Sequence, residues 1–304
     1  MYKMLQINAF YVILKEKEVN QMKIILSRKG IDSTFGNLSN LVFTHDNESE
    51  YIILPIPSLL DKATYDDLRI TQYRSFLQKL YNTPKFSCLS GKHCHCDPNL
   101  TNFYNEKEFL GSVGQCEISQ SHLANQNIKK NDIFIFWGLF REARIDKNQL
   151  DIAKKQQHIM YGYLQIGDII ETYNLKDNER KSYEQQYPFL INQPHWNKDK
   201  YKDIKNNTIY IARETCSFDK HIAGYGMFEV NQKLTLTAPD SNIPSLWELP
   251  KAWEKQKLTY HNESCYQNEY LRARSRGQEF IFEEKTQISE YAIYLIEQFS
   301  KNRV

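Results

Sequence analysis

Asp132-Ile133-Phe134-Ile135-Phe136-Trp137 is the stretch on which the fold turns, because every residue after its aspartate is apolar. A strand with one wet face alternates apolar and polar residues, whereas one covered on both faces does not need to. This run therefore predicts the centre of a sheet with a packed layer on either side. Upstream, Met22-Lys23-Ile24-Ile25-Leu26 has the β-branched content of a second strand. Residues 51–56 give a third, confined to an edge or a strand end by Pro55 and Pro57. Downstream, residues 161–170, 208–212, 226–230 and 234–238 read as further strands, the last a strict alternation of Leu and Thr. Tyr65, Leu68, Tyr73, Phe76, Leu77 and Leu80 recur near helical spacing and predict one amphipathic helix over 63–81. Ile288, Tyr291, Ala292, Leu295, Ile296 and Phe299 mark a closing helix over 284–300. Helices towards the ends with strands between them predict the α+β class: a mixed β-sheet with flanking helices in one domain, residues 22–304. Residues 1–21 read as an N-terminal extension, because the strand at Met22 looks self-sufficient as a beginning. Residues 176–205 form the most polar and charged stretch and predict an insertion or long loop.

Composition narrows the function. The 304 residues are 41% hydrophobic and 13% aromatic, enough apolar surface to offset chain entropy, so global disorder is excluded. With 39 basic and 37 acidic residues the net charge is +2, so there is no overall basic field and any nucleic-acid contact must be local. No window approaches the roughly 18 apolar residues of a membrane span, and no secretory signal is evident. Six sparse cysteines suit a reducing compartment, and the expected location is the cytoplasm, or the nucleus of a eukaryote.

Several groupings bear on chemistry. Ser27-Arg28-Lys29-Gly30-Ile31-Asp32-Ser33 follows a strand with two cations, a glycine, a carboxylate and two hydroxyls. Such a loop suits an anionic ligand: Arg28 offers a planar fork, Lys29 a point charge and Gly30 a close backbone approach. It is neither a Walker loop nor a dinucleotide-binding fingerprint, and taken alone a solvated turn with Asp32 as a cap is the stronger reading. Cys88, His93, Cys94, His95 and Cys96 fall within nine residues, but without the gaps by which a knuckle presents two zinc ligands. Free thiols in a turn are expected there and no metal site is assigned, while Asp97-Pro98 could display His95 and Asp97 as an acid–base pair. Arg141 is expected where the buried strand ends, and Gln278 lies beside Arg272, Arg274 and Arg276, able to hydrogen-bond a base.

Taken in order, the Ser27–Ser33 string, Leu54-Pro55-Ile56-Pro57, Asp97-Pro98-Asn99-Leu100, Phe136-Trp137-Gly138-Leu139-Phe140-Arg141, Tyr161-Gly162-Tyr163-Leu164-Gln165 and Gly277-Gln278-Glu279-Phe280 resemble the nucleotide modification associated domain 3 family over about residues 22–283. The resemblance implies an enzyme of nucleotide or nucleic-acid base modification, with other base-modification enzymes as companions and no cofactor specified. It carries over Ser27, Arg28, Lys29, Ser33, Arg141, His195 and Gln278 as substrate-binding residues and Asp32, His95, Asp97 and Glu279 as catalytic ones. The sequence departs from the family's pattern in placing Cys94 and Cys96 around His95 and in its asparagines between 37 and 40. A different reading, a non-catalytic PUA-like reader of modified nucleic acid, rests on Asn131-Asp132 opening one strand and Tyr161-Gly162-Tyr163-Leu164-Gln165-Ile166-Gly167 opening another.

Overall fold

A computed structural model of the chain describes residues 22–32, 34–35, 37–68, 76–102, 106–275 and 277–304. The extension over 1–21, Ser33, Tyr73 and Arg276 lie outside the described residues.

In chain order the strands are β1 (Ile24–Arg28), β2 (Asn40–His45), β3 (Glu48–Ile52), β4 (Ile56–Pro57), β5 (Cys94–His95), β6 (Ser112–Gln115), β7 (Ile133–Asp146), β8 (Gln149–Ile152), β9 (Gln157–Glu171), β10 (Thr208–Ala212), β11 (Tyr225–Met227), β12 (Leu246–Glu248), β13 (Tyr266–Gln267), β14 (Tyr270–Arg272) and β15 (Glu279–Ile281). The helices are α1 (Phe76–Tyr81), α2 (Glu117–Asn125), α3 (Asp177–Gln186), α4 (Lys198–Tyr201) and α5 (Thr286–Phe299).

The apolar run becomes β7, and it is longer than its sequence suggests: Ile133 through Arg141 are all buried. Along one side β7 pairs in parallel first with β1 and then with β2; on the other it pairs antiparallel with β9 and β8. Trp137, Phe134 and Phe136 are essentially inaccessible, each contributing about 2–3 kcal/mol by burial. The helix α5 lays Ile288, Ala292, Leu295, Ile296 and Phe299 on this core as one stripe. The hairpins β2–β3 and β7–β8 turn through Asp46-Asn47 and Lys147-Asn148, all at positive φ, which matches strand twist in two-residue turns.

The main sheet is ten-stranded and mixed, ordered β15-β1-β7-β9-β10-β6 with β2, β3, β8 and β11 off that path. It curls until its ends meet: Gln115 on β6 donates from Nε2 to Glu279 Oε1 on β15. The expected α+β class, one domain with a mixed sheet and helices around it, is the observed one.

Local expectations needed correction. Residues 63–81 are not one helix: a 3-10 turn at Tyr65–Asp67 gives way to an extended Leu68, and α1 begins at Phe76. The buried Tyr65 donates to Pro55 O at 2.5 Å, anchoring that turn to the β3–β4 connection. The strand expected over 51–56 splits, since Asn40 Oδ1 rather than a neighbouring strand accepts from Leu54 N, and Pro55 has no N–H to give. Residues 234–238 form only isolated bridges, at Thr235 and Thr237. There the Thr237 hydroxyl accepts from His158 N at 2.8 Å, a side-chain bond in place of a ladder bond. The polar stretch 176–205 is no loop. It forms α3, two 3-10 turns and α4, because Phe189, Leu190 and Trp196 bury themselves against Ile170, Ile209 and Ile211.

Candidate functional site

The seam where the curled sheet closes is where the polar groups gather. At the end of β1, the Lys29 backbone N–H donates to Trp137 O at 2.9 Å, and the side chain reaches across to the β6 edge. Its ammonium donates to Asp97 Oδ2 at 2.9 Å and to Gly114 O at 3.3 Å. Asp97 Oδ1 in turn accepts from Gly114 N at 2.7 Å and from Gln193 Nε2 at 3.1 Å. Burial alone would raise the Asp97 carboxyl, but the Lys29 ammonium, aided by the His195 and His95 rings, holds it at about 2. Asp97 is therefore an anion at neutral pH.

The Cys/His run explains itself through strand alternation. Cys94 and Cys96 point into the second core cluster, and the intervening His95 faces the seam. All six cysteines are free. His95 Nδ1 lies 2.9 Å from Asp61 Oδ2, which also accepts from Lys200 Nζ at 2.7 Å. Burial works against the ionised Asp61, but hydrogen bonds from His95 and Lys200 pull it well below the usual carboxylate range. A carboxylate only accepts, so His95 Nδ1 carries a proton towards Asp61, and Nε2 is the ring nitrogen that Asp61 leaves available.

His195 enters from a 3-10 turn held by Gln193, whose Oε1 accepts from His195 N at 3.0 Å. Its ring Nδ1 lies 2.6 Å from Asn207 Oδ1, while Asn207 Nδ2 donates to His195 O and Thr172 Oγ1. Those two donations fix the amide orientation, so His195 Nδ1 is the donor and its Nε2 is a lone pair. Burial pushes His195 down to about 4 against the pull of Asp97, keeping the ring neutral. The ring lies across Gly114, where a Cβ would sit 2.1 Å from it. The two imidazoles meet edge to face at 5.2 Å, and Tyr201 stacks on His195 at 4.6 Å.

These groups border a cleft of about 380 Å³ that also takes in Arg28, Ser58, Gln115, Ser119, Lys200 and Gln278. A second hollow, of about 820 Å³, touches Asp97 and is walled by Tyr51, Phe109, Tyr161, Tyr225 and Phe228. Tyr161 is fully buried there, with its hydroxyl unpartnered among the described residues.

The expected site residues divide. Arg28, Lys29, His95, Asp97, His195 and Gln278 border the cleft together. Gln278 stands at its exposed edge, 3.4 Å from the Ser119 hydroxyl. Ser27 and Glu279 lie behind the wall: the Ser27 hydroxyl donates to Glu279 Oε1 at 3.1 Å, and Glu279 is fully buried. Burial lifts the Glu279 carboxyl to about 7, moderated by Lys29. Asp32 accepts from Thr34 N and Oγ1 in a local turn and is not on the cleft. Arg141 is not at a strand end, since β7 runs on to Asp146; it contacts Asn37, away from the cleft. The 27–33 loop is thus divided, with Lys29 drawn inwards and Arg28 left on the rim. Sequence reasoning missed Asp61, Gln193, Lys200, Tyr201 and Asn207. The hints were two apolar interruptions of an otherwise polar stretch, Tyr187-Pro188-Phe189-Leu190-Ile191 and His195-Trp196.

Among the described residues no helix is long and apolar enough to cross a membrane. No curated protein and no solved structure matches the chain. The family model of nucleotide modification associated domain 3 matches residues 23–283, a span containing every group that borders the cleft, and the chain belongs to that family.

Proposed function

We propose that this protein is an enzyme that modifies a nucleotide, or a base within nucleic acid, in the cleft at the sheet seam. The observation that carries the reading is the convergence, on one buried anion, of Lys29 from just beyond β1, His95 from β5, Gly114 from β6 and His195 from the 176–205 segment. A merely structural ion pair does not call for two further imidazoles aimed at the same carboxylate from separate elements. Arg28 lies on the wall as the cation for a phosphate, its planar fork suited to bidentate contact, while Lys200 is held by Asp61. Lys29 is committed to Asp97, so it positions that carboxylate rather than holding phosphate. Ile118, 83% exposed at the rim, offers an apolar surface to a base, and Gln278 offers an amide to its edge. The reacting atom lies against His95, Asp97 and His195, and Glu279 steadies Gln115 from behind.

The test is nucleoside mass spectrometry on DNA, RNA and the nucleotide pool of cells expressing the protein or its Asp97→Asn variant. A nucleoside found with the native protein and lost in the variant is expected. Identical profiles, with both proteins folded, contradict an enzyme; binding of modified nucleic acid without chemical change would instead favour a reader.

A further inference from the structure

The hydrogen bonds behind the two imidazoles carry a further conclusion. His95 and His195 each spend Nδ1 on an oxygen acceptor, Asp61 and Asn207 respectively, which leaves Nε2 of each ring as the nitrogen available to a ligand. Fixing one ring nitrogen by a carboxylate or carbonyl while the other stays free is how proteins orient histidine ligands for a metal. His95, Asp97 and His195 each have a ligand atom within 4.8 Å of those of the other two. Asp97 retains capacity: Gly114 and Gln193 occupy Oδ1 and Lys29 takes one direction of Oδ2, which leaves one of about four lone-pair directions.

We propose that His95, Asp97 and His195 form a mononuclear binding site for a first-row divalent transition metal. Two imidazoles and one carboxylate suit iron, cobalt or zinc rather than magnesium or calcium, which prefer all-oxygen shells. Three protein ligands bordering an open cleft leave positions for water or substrate, the arrangement of a reactive rather than a structural metal. The neighbouring thiols take no part, because Cys94 and Cys96 face the core. The site deepens the function proposed above by giving the cleft a Lewis-acid centre, yet its test uses no nucleotide, so either can fail alone.

The experiment is equilibrium dialysis of the metal-stripped full chain against Zn²⁺, Co²⁺ or Mg²⁺, with metal content read by mass spectrometry and the cobalt form by its visible absorption. One equivalent of Zn²⁺ or Co²⁺ and none of Mg²⁺ are expected. His95→Gln should abolish stoichiometric binding while circular dichroism stays unchanged. Asp61→Asn, which touches no metal, should weaken binding about 10- to 100-fold. Absence of stoichiometric binding in the native chain, or equal binding by native and His95→Gln protein, would overturn the site. If His95→Gln does not fold, Asp61→Asn decides: undiminished affinity counts against the site.

Discussion

Replacing Glu279 by glutamine gives the sharpest quantitative check on the seam. Its carboxyl is fully buried, Oε1 accepts from Ser27 and Gln115, and Oε2 has no partner among the described residues. Burial raises it from 4.5 to about 7, with Lys29 partly offsetting the rise. A group whose folded value lies above its unfolded value binds its proton more tightly when folded. Its stabilising contribution is therefore complete below about 4.5 and is lost as pH rises to 7 and beyond. At about 1.4 kcal/mol for each tenfold difference in proton affinity, the loss across that window is about 3 kcal/mol. Glu279→Gln removes the titration and keeps the shape. Any fixed cost of its unpartnered amide applies at every pH, so the difference between the two stability curves isolates the carboxyl. Urea denaturation at pH 4 to 8.5 should show the variant gaining about 3 kcal/mol on the native chain between the two ends. Parallel curves would refute the claim that an ionisable group is sealed behind the cleft wall.

Three other outcomes follow from the same geometry. Lys29→Met leaves Asp97 buried without its cation and should cost about 3–5 kcal/mol in denaturation at pH 7; a cost below about 1 kcal/mol would mean the pair is not sealed in the seam. Gly114→Ala drives a Cβ into the His195 ring and should lower stability by about 1–3 kcal/mol, read as a fall in melting temperature; an unchanged melting temperature would contradict the close approach. Arg28→Ala should leave stability nearly unchanged, since among the described residues its side chain has only a 3.3 Å bond to the exposed Ser275 carbonyl. It should weaken titrated nucleoside monophosphate about 10- to 100-fold in calorimetry, and undiminished affinity would remove Arg28 from the phosphate site.

What the sequence disclosed follows from how locally each feature is encoded. The strand at Thr208–Ala212 was legible as a short run of β-formers, all of them buried, and the helix Thr286–Phe299 because its burial follows its own periodicity. That His95 and Asp97 lie together was legible because the Asp97-Pro98 turn signal falls directly beside His95 in the sequence. The sheet's curl was not, since it depends on β6 and β15 approaching from opposite ends of the strand order. With it went Gln115 and Gly114, residues of no chemical distinction until that edge meets Lys29. Lys200 looked like one solvated lysine among many, and only the packing of Trp196 and Phe189 carries it to Asp61. Arg141 was misjudged because polar residues resume within β7 while its ladder to β2 and β8 continues. His195 was not joined to His95 and Asp97 as a set of proposed metal ligands. The orientation of the two imidazoles comes from Asp61 and Asn207, which no local spacing connects to them.

The most direct measurement is photo-crosslinking of an azido-nucleotide to the full chain, with the attachment sites located by tandem mass spectrometry. Crosslinks should fall in the peptides carrying residues 27–29, 94–97, 114–119, 195–201 and 277–279, and excess unmodified nucleotide should suppress them. Suppressible labelling confined to other faces of the molecule, or none at all, would contradict a nucleotide site at the seam.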